Sequence, residues 1–116
     1  MTSFTPKKLA QTICKLALEK NAFDVHLLDL RKCTDIAKYF VICSGSVDVQ
    51  VKAIADNIIG GMKEKDVRVW HKEGYKNLQW VLLDYENVVV HIFQPEVREY
   101  YSLEKLWSDA PGEKIE

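Results

Sequence analysis

From the amino end, Leu9, Ile13, Leu16 and Ala17 recur every three or four residues, which predicts an amphipathic helix running to about Asn21 with its lysines in water. Thr5 before Pro6 marks its start, because the hydroxyl can cap and a missing N–H costs nothing at the first helical position. The apolar period then shortens. Asp24 to Leu30 and Ile36 to Cys43 read as two strands joined by the polar Arg31–Asp35 segment, and the pair is expected to form a hairpin. Ser44-Gly45-Ser46 closes the second strand and opens a helix carrying Val47, Val51, Ile54, Ile58 and Met62 at helical spacing. Gly60-Gly61 weakens its last turn by about 1 kcal/mol per glycine relative to alanine, so the helix is expected to fray or stop there.

Val67 to His71 alternates as a short strand, with Val67 and Val69 on one face and Arg68 and Trp70 on the other, and Lys72 to Asn77 is a charged loop. A second hairpin follows, with Glu86-Asn87 as its two-residue turn, where Asn tolerates the positive φ such turns demand. Antiparallel pairing then sets Val81 opposite Ile92, Leu83 opposite Val90 and Tyr85 opposite Val88 on one face. On the other face Trp80 meets Phe93, Leu82 meets His91 and Asp84 meets Val89. The first face is nearly all apolar. The second mixes a Trp, a Phe, a His and a carboxylate, and is expected to be only partly covered by its own chain and open to a partner. Pro95 initiates a last helix through Val97, Tyr100, Tyr101, Leu103, Leu106 and Trp107, bent near Ser102, and residues 109–116 are expected to form a flexible tail. The order of elements predicts one α/β (α+β) domain over residues 1–116, a mixed five-stranded sheet packed with helices in which the central helix supplies a crossover.

Composition narrows the classes. With 116 residues, 47% hydrophobic and 28% charged, the chain is an ordinary globular domain with no apolar run long enough to cross a bilayer. The amino terminus lacks the apolar block and cleavage site of an export signal, so a cytoplasmic protein without membrane contact is expected. The three cysteines, Cys14, Cys33 and Cys43, are widely spaced with no CxxC, which argues against a disulfide framework or a zinc cluster and for small buried hydrophobes. A formal charge of -1 leaves no bulk electrostatic footprint for coating nucleic acid.

Several residue groups suggest chemistry. The Ser44-Gly45-Ser46 element before a helix suits an anion and is similar to the Gly-Ser turn of nucleotidyltransferases, but the following strand, VRVWHK, lacks the paired carboxylates that hold Mg²⁺ in such enzymes. A capped turn is favoured. His26, His71 and His91 fall on different strands without the local pairing of a metal site, and neither a Ser-His-Asp nor a Cys-His order is suggested. No cofactor or metal is expected. The Trp80, Asp84, His91 and Phe93 face, with Arg98 and Tyr101 nearby, has instead the composition of an interface centre.

The residues DIAKYFVICSGS at Asp35 to Ser46, the helix with Val51 and Ile54-Ala55-Asp56, then Trp80-Val81, Leu83-Asp84, Val90-His91-Ile92-Phe93, Arg98-Glu99-Tyr100-Tyr101 and Leu103-Glu104-Lys105-Leu106-Trp107 resemble, in this order, the ribosomal silencing factor (Iojap-like) family across nearly the whole chain. The resemblance implies a nucleotidyltransferase-like α/β sandwich without catalytic carboxylates. It also implies a non-enzymatic factor that docks on a large-subunit ribosomal protein at the face where the small subunit joins, blocks that joining, and represses translation when nutrients are scarce; family members often appear as homodimers. On that reading Trp80 and Phe93 anchor the contact, Asp84 pairs with a basic residue, and His91, Arg98 and Tyr101 belong to the partner-binding face. Two departures stand out. The 70–79 loop keeps Glu73-Gly74 but carries extra lysines, which could meet ribosomal RNA, and the hairpin turn is Glu86-Asn87 where a glycine is common. Two other classes stay open: a divergent Mg-dependent nucleotidyltransferase using Asp29, Asp35 and Asp84, and a self-associating module whose aromatic face is its dimer interface.

Overall fold

Thr5 caps the first helix as its sequence predicts, its hydroxyl accepting the Lys8 N–H at 3.1 Å. The computed structural model describes residues 4–116, so the first residues of the domain expected over 1–116 lie outside the described residues. In order the elements are α1 (Pro6–Leu18), β1 (Phe23–Asp29), β2 (Tyr39–Ser44), α2 (Asp48–Glu64), β3 (His71–Glu73), β4 (Trp80–Asp84), β5 (Val88–Phe93), α3 (Pro95–Tyr101), α4 (Leu103–Leu106) and β6 (Gly112–Lys114). The strands form one sheet in the order β3-β4-β5-β2-β1-β6. β2 and β5 pair in parallel at its centre, and every other neighbouring pair is antiparallel. That placement explains their sequences: YFVICS and VVVHIF are buried along their whole length, as a strand covered on both faces must be.

α1 and α2 cover one face of the sheet, burying Leu9, Ile13, Val51, Ile54 and Ile58 against Val41, Val81, Leu83, Val90 and Ile92. The segment after β5 covers the other face, where Val97, Leu103 and Trp107 pack on Leu28, Phe40, Ile42, Val89 and Phe93. The result is a mixed sheet between two helical layers.

The structure corrects the sequence reading at four places. The sheet has six strands, because Gly112–Lys114 leaves the expected tail to pair with β1, His26 opposite Lys114 and Leu28 opposite Gly112. A ladder on a free edge needs only backbone N–H and C=O groups, so no apolar period announces it. β3 lies at His71–Glu73 and not at Val67–His71, since Val67 and Val69 serve the α-side core from an irregular segment. α2 runs through Gly60-Gly61 to Glu64. A Cβ on Gly61 would stand 2.6 Å from Leu16 Cδ2, so this glycine is there to let α1 approach α2 closely and does not end the helix. Cys33 is exposed, whereas Cys14 and Cys43 are buried as expected.

Candidate functional site

The β4–β5 hairpin positions the site, and its register is the one its alternation predicts: Trp80 opposite Phe93, Leu82 opposite His91 and Asp84 opposite Val89. Glu86, with φ 71°, takes the left-handed position at the turn that was expected of Asn87. Asp84 Oδ1 accepts the Glu86 N–H at 2.7 Å, a local bond that offsets the strain of that backbone. Beside it, β3 sets His71 opposite Asp84 and Glu73 opposite Leu82. Gly74, at φ 90°, closes the loop behind; a Cβ there would overlap the Trp80 carbonyl at 2.0 Å, so the turn needs glycine.

The second face of the hairpin is only half open. The last helix does not merely bend but breaks at Ser102, whose φ of 49° turns α4 back across the sheet. Leu103 and Trp107 are thereby laid over β5 and β2, with Trp107 edge-on to Phe40 at 5.9 Å. On β4, by contrast, Trp80, Leu82 and Asp84 stay half-buried. Phe93 is 0% exposed and His91 is 4% exposed, so neither can touch a partner. The expectation that Phe93 anchors a contact and His91 shapes its rim is corrected accordingly.

Both support Trp80 from beneath. Phe93 stacks on the indole at 4.8 Å and Tyr101 lies tilted against it at 4.8 Å. The indole N–H donates to His91 Nδ1 at 3.1 Å. Burial pushes the His91 pKa down to about 4, so the ring is neutral at physiological pH and free to accept. Tyr101 remains 52% exposed at the edge of this cluster.

Arg98 is corrected as well. It is buried, and its Nη1 donates to the Asp24 carbonyl and to Ser44 Oγ, each at 2.8 Å, while Nη2 meets Glu104 at 2.7 Å. This guanidinium ties α3 and α4 to the ends of β1 and β2. Burial by itself would raise the Glu104 pKa, but the hydrogen bond and charge of Arg98 outweigh it and hold the carboxyl below its ordinary range.

The open strip therefore comprises Trp80, Leu82 and Asp84 of β4, His71 and Glu73 of β3, and Tyr101 of α3. The first three follow from alternation alone. The expected strand stopped at His71, so Glu73 was missed and His71 was not set against Asp84; HKE carries no apolar residue to announce a strand.

The alternative chemistries find no geometry. Asp29 is held by Arg31 through bonds of 2.9 and 2.7 Å, and it lies on β1, three strands from β4, so roughly 14 Å of sheet separates it from Asp84. Among the described residues there is no group of three or more His, Cys, Asp or Glu able to hold a metal ion. At the Ser44-Gly45-Ser46 turn, Ser44 Oγ is taken by Arg98 and the Ser46 N–H donates to Gln50 Oε1 at 2.6 Å, so these two groups are already engaged. Burial raises the thiols of Cys14 and Cys43 to about 12, which removes them as nucleophiles. No described helix is long and apolar enough to cross a membrane.

The described residues thus present a half-covered aromatic strip on a mixed α/β sandwich, with no group of three or more His, Cys, Asp or Glu able to hold a metal ion. Comparison with known proteins gives the family. A family model described as "Ribosomal silencing factor during starvation" matches residues 3–116. A ribosomal silencing factor of Bacillus subtilis is 43% identical over 104 residues, covering 90% of this chain and 86% of that protein. A crystal structure of a Chromobacterium violaceum protein superposes with a TM-score of 0.88 at 30% identity, covering 90% of this chain and 88% of the other. More distantly, a mouse protein named for mitochondrial assembly of the ribosomal large subunit is 29% identical over 83% of this chain and 43% of its own length. The chain belongs to the ribosomal silencing factor family, whose name describes a regulatory factor and not a catalyst.

Proposed function

We propose that this chain silences ribosomes by steric exclusion: it docks on a protein of the large subunit at the face where the small subunit joins and so represses translation under nutrient limitation. The observation that carries the reading is the half-open strip of Trp80, Leu82, Asp84 and Tyr101, an apolar centre with a carboxylate at its end, on a chain of the silencing family. The mouse relative, named for assembly of the ribosomal large subunit, supports that subunit as the partner. A stable contact would bury roughly 800 Å² on this side. Trp80 and Tyr101 supply its rigid aromatic surface, and Asp84 pairs with a basic residue of the partner. Exposed Lys72 of β3 and Lys76 of the loop after it would meet ribosomal RNA phosphates, and losing them should flatten the salt dependence of binding.

Co-sedimentation with purified large subunits, and a subunit-joining assay, test this. Asp84→Arg should abolish co-sedimentation. Asp84→Asn, which keeps an oxygen for the Glu86 N–H, should weaken it while leaving the turn intact. If Asp84→Arg and Tyr101→Ala both bind as the parent does, this face is not the contact; if the parent neither binds nor prevents joining, the function is wrong.

A second reading has its own observation. Tyr100 and Leu106 are 81% and 72% exposed on α3 and α4, which suits self-association. Sedimentation velocity at several concentrations, with Leu106→Glu alongside, decides whether the dimer exists and uses that surface.

A further inference from the structure

Trp80 stands out because its one polar atom is turned inward. Indole has a single donor and no acceptor, and here the Nε1–H is spent on the buried His91, at 3.1 Å from its Nδ1. With Nδ1 accepting, the neutral imidazole carries its proton on Nε2, which is buried with no hydrogen-bond partner. A buried N–H left in that state costs stability, and such a cost persists where the group has another task. The Phe40 ring lies edge-to-face with His91 at 4.6 Å. Phe93 lies parallel to His91 as well as stacked on Trp80. Histidine is thus held in one orientation, and through it so is the indole.

We propose that His91 is the positioning residue of the docking face: by taking the indole N–H of Trp80 it locks the ring and leaves only carbon exposed, so that the partner meets Trp80 with an apolar, aliphatic patch rather than a hydrogen-bond acceptor. The inference rests on the reading of this strip as the large-subunit contact. It assigns the work of the face by chemistry. Trp80 supplies desolvated apolar area, while Asp84, beyond Leu82 on the same strand face, supplies the charge that sets orientation. A free indole N–H would need an acceptor from the partner or be stranded in the interface.

The test uses the full chain and purified large subunits. In the unmodified protein the Trp80 indole N–H should exchange slowly with solvent and resonate apart from that of the exposed Trp70 indole. His91→Phe, which keeps an aromatic ring but no acceptor, should speed that exchange and weaken large-subunit binding about tenfold, the worth of one misplaced hydrogen bond. His91→Asn, whose Oδ1 can stand in for Nδ1, should restore binding to within about threefold of the parent. Trp80→Phe combined with His91→Phe should bind more tightly than His91→Phe alone, because no stray donor remains. Fast indole exchange in the unmodified protein, or His91→Phe binding as tightly as the parent while Trp80→Ala does not bind, would overturn the positioning role and leave the docking face standing. Full binding by Trp80→Ala would overturn both.

Discussion

Replacing Arg98 by methionine keeps a long apolar stem and deletes the guanidinium that joins α3 and α4 to the ends of β1 and β2. Two bonds of 2.8 Å, to the Asp24 carbonyl and Ser44 Oγ, are lost in a largely water-excluded site. Hydrogen bonds from a charged donor are worth about 1.5–3 kcal/mol each, so this part alone amounts to about 3–6 kcal/mol. The ion pair with Glu104 adds little, about 1 kcal/mol at most, because the Glu104 side chain is 34% exposed and water screens it. A domain of this length has a total stability of about 6–17 kcal/mol, so the loss is a sizeable part of it. Urea unfolding followed by tryptophan fluorescence should show the midpoint falling sharply, with Trp107 becoming exposed early as α4 lifts from Phe40. Lys105→Met, an exposed change on the same short helix, should stay within about 0.5 kcal/mol of the parent. If Arg98→Met lies within 1 kcal/mol of the parent as well, the structural role assigned to Arg98 is wrong and its place on a binding surface reopens.

Three further outcomes follow from particular contacts. Gly60→Ala has open space and should stabilise by about 1 kcal/mol, whereas Gly61→Ala meets Leu16 and should fall about 1–3 kcal/mol below it; equal effects would refute the close helix crossing. Between pH 6.5, the ordinary histidine value, and about 4, where burial holds His91, the unfolded chain binds a proton that the folded chain refuses, so stability falls as pH falls, by roughly 3 kcal/mol across the window. His91→Phe should lack that portion of the acid slope, and identical slopes in urea titrations would show the imidazole is not buried neutral. Finally, a disulfide reagent should modify one thiol rapidly in the native chain, the exposed Cys33, and all three in urea, whereas rapid native labelling of Cys14 or Cys43 would contradict the core.

What the sequence settled by itself were the features decided within a few neighbouring residues. The Thr5-Pro6 start and the β4–β5 register follow from capping chemistry and from two-residue alternation across a short turn, and a slip of one residue would have flipped a whole strand face. Its resemblance to the silencing family was equally legible, carried by motifs along nearly the whole chain. Tertiary structure decided what depends on distant partners. Whether Phe93 and His91 lie under a helix depends on where α4 folds back, and whether Arg98 is a contact or a brace depends on Asp24 and Ser44, far away in the chain. Gly61 signals a helix end by propensity but a helix crossing once Leu16 stands opposite it. The β6 edge strand has no side-chain signature at all, because it is held by backbone groups that every residue carries.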